Sequence, residues 1–234
     1  MRKTIAISGL VVLAGVALAA PWASTRQGVN FEVTMYRMPP YLKAMDFINR
    51  DLHYQALARR MTQGKRTDEE RALAVLAWTR EHVRMNPPGL PTVDDHVWNI
   101  IIRGYGLEDQ MADVFTTLCT YAGVPAWWRL MRAANGHDWV VLSFARLDGK
   151  WALVDVGSGF ILRDEQGAIA DLGALYADPA RMKQVAEIRT RDGSTYRRYL
   201  EGIQPFEAPK PLRAEKQMLW PRLWFELRKV VARS

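Results

Sequence analysis

The sequence predicts an α+β fold, helices packed on an antiparallel sheet, and three observations carry that prediction. Residues Glu108 to Ala122 place Met111, Phe115, Leu118, Cys119 and Ala122 at helical spacing, and Gly123 followed by Pro125 ends the helix. Three apolar and aromatic runs follow at short intervals, Ala126–Met131, Trp139–Ala145 and Trp151–Val156. Between the last two stands Leu147-Asp148-Gly149-Lys150, whose Asp-Gly pair tolerates the positive φ of a tight hairpin turn. A helix leading into a meander is the order of an α+β protein; a doubly wound sheet would alternate strand and helix.

The elements upstream read as follows. Arg2 and Lys3 precede Ile5–Ala20, a stretch broken only by Ser8 and two glycines, and no further charge occurs before Arg26. A basic start, an apolar run and small residues at Ala17-Leu18-Ala19 have the pattern of a bacterial-type export signal cut after Ala19, or of an N-terminal membrane anchor if uncut. Both readings place the rest of the chain in the periplasm or at the outer face of the inner membrane. Residues 25–40 read as an irregular lead-in, and 41–62 carry apolar residues at broadly helical spacing. Thr67-Asp68-Glu69-Glu70 is a capping box opening a helix through Val83, with Leu73, Leu76, Ala77 and Trp78 as its expected buried stripe. Met85–Thr92 reads as a loop, Asp95–Arg103 as a short helix with Asp94-Asp95-His96 supplying its N-cap, and Gly104-Tyr105-Gly106 as a flexible connector.

Beyond Gly159 the pattern weakens. Asp178–Val185 has helical character, Glu201–Arg213 carries three prolines and reads as a linker, and Met218–Arg233 mixes tryptophans and leucines with Arg and Lys. That tail suits an anionic membrane surface or a face of the domain itself, although Pro221 is expected to interrupt its helix. The chain thus divides into a signal or anchor (1–24), a helical lead-in (25–66), the main domain (67–200) and a Pro-containing linker with a basic amphipathic tail (201–234).

Composition removes several classes of function. One cysteine among 234 residues excludes an internal disulfide and any zinc site of several thiolates. A net charge of +7 is compatible with anionic partners without demanding one. No glycine-rich phosphate loop, dinucleotide fingerprint or nucleic-acid motif occurs, so no cofactor and no nucleic acid is predicted. His53, His82 and His96 lack ligand spacing, and no metal site is predicted.

Four short motifs stand in order: Gly106-Leu107-Glu108-Asp109-Gln110-Met111-Ala112, Gly123-Val124-Pro125-Ala126-Trp127, His137-Asp138-Trp139 and Trp151-Ala152-Leu153-Val154-Asp155. In that order and spacing they resemble the core of the transglutaminase-like superfamily, relatives of the papain-like cysteine proteases. The family pattern is Gly-x-Cys-x-Asp-x-Ala opening a helix, Gly-Ile-Pro-Ala-Arg, His-Ala-Trp on a strand, and Trp-x-x-x-Asp on the next. The resemblance implies a helix-start thiolate, an imidazole that takes its proton and a carboxylate that orients the imidazole. His137 and Asp155 fall on two of these positions. Glu108 stands where the cysteine should be, and Trp127 stands at the family's arginine.

The only cysteine, Cys119, lies eleven residues further along the same helix, about 16 Å away at 1.5 Å per residue, and reads as core. Cysteine chemistry is therefore not expected. Glu108, His137 and Asp155 are the degenerate triad positions, and Asp109, Trp127, Trp128 and Trp139 are the binding candidates. Of the adjacent tryptophans 127 and 128, strand alternation lets only one join the core easily. The favoured expectation is a pseudoenzyme that binds a peptide or glycan in the cell envelope. Two others stand beside it: an active noncysteine hydrolase or acyl transferase using Glu108, His137 and Asp155, and a scaffold of an envelope assembly, with membrane association through residues 5–23 and 218–233.

Overall fold

A computed structural model describes residues 23–29, 32–132, 137–164, 166–171, 173, 177, 187–190, 193–200 and 207–231. Its elements, in order, are strands β1 (Ala23–Val29) and β2 (Glu32–Met38), helices α1 (Pro40–Met61) and α2 (Asp68–His82), strand β3 (Arg84–Met85), helix α3 (Val97–Arg103) and strand β4 (Tyr105–Gly106). Then come helix α4 (Glu108–Tyr121), strands β5 (Ala126–Arg132), β6 (Trp139–Leu147), β7 (Lys150–Asp155) and β8 (Phe160–Ile161), the short helix α5 (Arg197–Leu200), a 3₁₀ turn at Ala214–Gln217 and helix α6 (Leu219–Val231).

The centre is α4, in which every residue from Gln110 to Thr120 is buried. It lies against an antiparallel sheet of order β5-β6-β7-β8. The predicted hairpin is present, with Asp148 at φ 48° and Gly149 at φ 82° joining Leu147 to its partner Lys150. One face of the sheet (Ala145, Leu147, Ala152, Val154) packs on α4 and, through Phe115 and Leu118, on Tyr54 of α1, Val75 of α2 and Ile100 of α3. The other face (Trp127, Leu142, Phe144, Leu153) is covered by Tyr196, Tyr199, Leu200 and Leu212 from the C-terminal third. Burial on both faces explains why Val140-Val141-Leu142 runs apolar without alternation.

The helix starts follow local chemistry. Thr67 Oγ1 accepts from the Glu70 amide at 3.1 Å while Glu70 Oε2 accepts from the Thr67 amide at 3.2 Å, the reciprocal capping box. His96 is the N-cap of α3, its Nδ1 accepting from the Trp98 amide at 3.3 Å, and Asp94 Oδ1 accepts from the His96 amide at 2.6 Å. The cap therefore sits one residue beyond the acidic pair.

Several expectations are corrected. Residues 25–40 are not irregular: β1 and β2 form a hairpin from Ala23↔Met38 to Val29↔Glu32. Arg84–Met85 and Tyr105–Gly106, read as loop and connector, pair with each other in parallel. The buried stripe of α2 is Ala72, Val75, Leu76 and Thr79, whereas Leu73 is exposed, because the helix meets α4 one position round from the expected face. Pro221 does not break α6. It stands in the first turn, where its missing N–H would have no helical partner, and the Arg222 amide already bonds to Met218 O at 3.0 Å. The stretch Asp178–Val185, read as helical, and the apolar run Ile5–Ala20 lie outside the described residues. Among those described, no helix is long and apolar enough to cross a membrane.

Candidate functional site

Glu108 is the first residue of α4, following Leu107 in extended backbone. Leucine offers no side-chain acceptor for the free amides of the first turn. Gln110 supplies half of the missing cap, its Oε1 accepting from the Leu107 amide at 3.1 Å. Gln110 is itself buried, donating to Asp95 Oδ1 at 2.7 Å and accepting from Arg103 at 2.5 Å, so the loop before α3 is pinned to the start of α4. The half-buried Glu108 carboxylate thus sits on a fixed helix end, where dipole and amides favour negative charge.

Asp155 ends β7 and is buried. Strand alternation sends it to the face of Leu153, opposite α4, and there it meets the buried Tyr196. The Tyr196 hydroxyl donates to Asp155 Oδ2 at 2.5 Å, and the Ser158 amide donates to Oδ1 at 2.8 Å. Burial and the neighbouring charges of Asp155 and Glu108 raise the Tyr196 phenol far above its ordinary range, so it remains a donor. The turn after β7 then passes the helix start. A Cβ built on Gly157 would lie 3.4 Å from Asp155 Oδ1 and 3.5 Å from Glu108 Oε1, so the two carboxylates flank one backbone position.

Glu108 and Asp155 are therefore brought to the same end of the sheet. The β6–β7 ladder ends on this side at the pair Ser143↔Val154. His137 lies two residues ahead of the start of β6 and is exposed. The described partners of the Asp155 side chain are Tyr196 and Ser158.

The remaining candidates separate. Trp127 is buried, stacked on Phe144 with ring centres 4.6 Å apart, and belongs to the sheet's outer core. Trp128 is half-buried and turns the other way, its indole donating to Asp113 Oδ1 at 2.5 Å. Trp139 is exposed. Asp109 is half-buried, and burial raises its carboxyl above the ordinary range. Cys119 is fully buried, which pushes its thiol well up and away from the thiolate form. No cluster of three or more His, Cys, Asp or Glu among the described residues could hold a metal ion.

Residues missed by the sequence reading carry much of this geometry. Tyr196 lies in a region without a clear pattern, and nothing local marks it. Asp113 was visible as an acid inside an apolar stripe. It is buried and paired with Arg213 at 2.8 Å, and burial raises its carboxyl to about 7.

The profile of the transglutaminase-like superfamily matches residues 55–156. No curated protein matches the chain. Among solved structures, a protein assigned as a cysteine protease from Cytophaga hutchinsonii is 18% identical, over 51% of this chain and 40% of its own, with a TM-score of 0.41. One assigned as a protease from Parabacteroides distasonis is 10% identical, over 61% and 40%, with a TM-score of 0.37. A third, a TGase, is 12% identical, over 58% and 44%, with a TM-score of 0.36. The chain covers less than half the length of each.

Proposed function

Residues 55–156 are a transglutaminase-like superfamily core, and from that premise we propose that the protein is a pseudoenzyme of the cell envelope whose former catalytic cleft binds a peptide or glycan. One observation carries the reading: at the helix start where the family's reaction needs a thiolate stands Glu108, while the chain's only cysteine is buried far down the same helix. A carboxylate there is stabilised by the helix end but is a far weaker nucleophile than a thiolate. The engagement of Asp155 by Tyr196 supports the same view, because the carboxylate that would orient an imidazole is held by a phenol. Location in the envelope is supported by the basic-then-apolar start of the sequence.

The test measures binding and turnover together. The purified chain, applied to peptide and glycan arrays and to amide, ester and glycoside substrates, is expected to retain a ligand without converting it. Turnover that disappears in Glu108→Gln would overturn the pseudoenzyme reading. It would establish the second reading, a noncysteine hydrolase or acyl transferase, which the approach of Glu108 and Asp155 to one backbone position favours.

A further inference from the structure

A cavity of about 520 Å³ opens beside Glu108 and Asp155, between the end of α2, β3 and the turn that follows β7. Its wall carries three guanidinium groups, Arg80, Arg84 and Arg189, and no acidic residue. Neither Arg80 nor Arg84 forms an ion pair with a described residue. Arg189 donates through Nη1 to Gly193 O at 2.6 Å, which uses one of its donors and holds the chain in place.

Two details of the turn suit this cluster. Gly159 has φ 83°, and a Cβ built there would fall 1.9 Å from Arg80 Nη1 and 2.2 Å from its Cζ. The guanidinium therefore occupies the space beside the glycine backbone that any side chain would fill. Ser158 lines the cavity, and its Oγ is buried without a hydrogen-bond partner among the described residues. A buried hydroxyl left unpaired is costly, and like-charged guanidiniums gathered around one cavity repel. A bound oxyanion would relieve both.

We propose that this cavity is an oxyanion subsite of the cleft, holding a carboxylate or phosphate group of the ligand between Arg80 and Arg84, with the Ser158 hydroxyl as a further donor. The planar guanidinium fork matches both groups, and the nearby Glu108 carboxylate disfavours a second negative charge on the adjoining part of the ligand. The inference rests on the binding-cleft reading above and adds the charge of what is bound.

Calorimetric titration of the full chain at fixed ionic strength tests it, using inorganic phosphate, N-acetylglutamate and glucuronate, with N-acetylglutamine and glucose as uncharged counterparts. At least one anionic probe is expected to bind, and neither neutral one. Phosphate alone would identify a phosphorylated ligand; N-acetylglutamate or glucuronate would identify a carboxylate on a peptide or a glycan. Arg80→Gln and Arg84→Gln should each weaken binding about tenfold or more, since each removes a charge-assisted contact. Arg80→Lys should recover part of the loss. Absence of binding by all three anions, or binding unchanged in the double Gln variant, would overturn the subsite. Array ligands that bind equally well to both Arg variants would sink the subsite alone. Anion binding that depends on the arginines, with no peptide or glycan retained, would instead sink the cleft reading alone.

Discussion

The Tyr196 hydroxyl donates to Asp155 Oδ2 at 2.5 Å, joining the end of β7 to a residue forty-one positions further on. Both side chains are buried, so the contact ties the C-terminal third of the chain to the end of the sheet at which Glu108 sits. It fills one oxygen of the carboxylate with a neutral donor and leaves the Ser158 amide on the other.

Removing that donor should be felt as stability. In Tyr196→Phe the ring still packs, but among the described residues the buried Asp155 side chain keeps only the Ser158 amide. A loss of about 1–3 kcal/mol is expected from urea unfolding, the usual range for a buried charged group deprived of a partner. A change below about 0.5 kcal/mol would show that water or another donor takes the hydroxyl's place.

The contrast between this contact and the central helix shows what a sequence can and cannot display. The packing of α4 was readable because Met111, Phe115, Leu118 and Cys119 repeat at the helical period and all are buried. The β6–β7 hairpin was readable because Asp148-Gly149 names its own turn. The β1–β2 hairpin was not, since Val33, Met35 and Tyr36 are all exposed and no buried face marks an alternation. The β3–β4 pairing joins two residues to two others across a helix, too short to carry any period. Glu108 could be found through its motif, but Tyr196 reaches Asp155 only through the tertiary fold, and Arg80, Arg84 and Arg189 gather from separate segments in the same way.

Cys119 supplies a test of what the chain lacks. Full burial raises its thiol well above the ordinary value, so the thiolate is scarce and out of reach. A disulfide reagent such as Ellman's should leave the native protein unmodified at pH 8 and react with one thiol per chain in denaturant. Fast labelling of the folded protein would mean that the helix opens, and would reinstate Cys119 as a candidate nucleophile.

Asp113 should impose a pH dependence of definite sign. Burial lifts its carboxyl to about 7, partly opposed by Arg213 and by the Trp128 indole. In the unfolded chain the same group titrates near 4. Between those values the folded state binds a proton that the unfolded state has released, so stability falls as pH rises from about 4 to about 7. Comparing urea unfolding at pH 5 and pH 8, the wild type should lose at least about 1 kcal/mol more than Asp113→Asn, which cannot ionise. Equal losses in the two proteins would mean that the Arg213 pairing outweighs the burial.

Gly159 and Arg80 should be coupled, and a double-mutant cycle separates the two reasons why. At φ 83° an alanine is strained by its own backbone, a cost of about 1–2 kcal/mol wherever its neighbours are. The added Cβ would also fall within 2.2 Å of the Arg80 Cζ, so that the guanidinium must leave the turn. Only the second cost vanishes when Arg80 is already alanine. Gly159→Ala should therefore destabilise the wild type more than it destabilises Arg80→Ala, with an interaction energy of about 0.5–1 kcal/mol in urea unfolding. An identical cost in both backgrounds would mean that the flexible arginine swings aside freely, and that the turn does not hold it over the cavity.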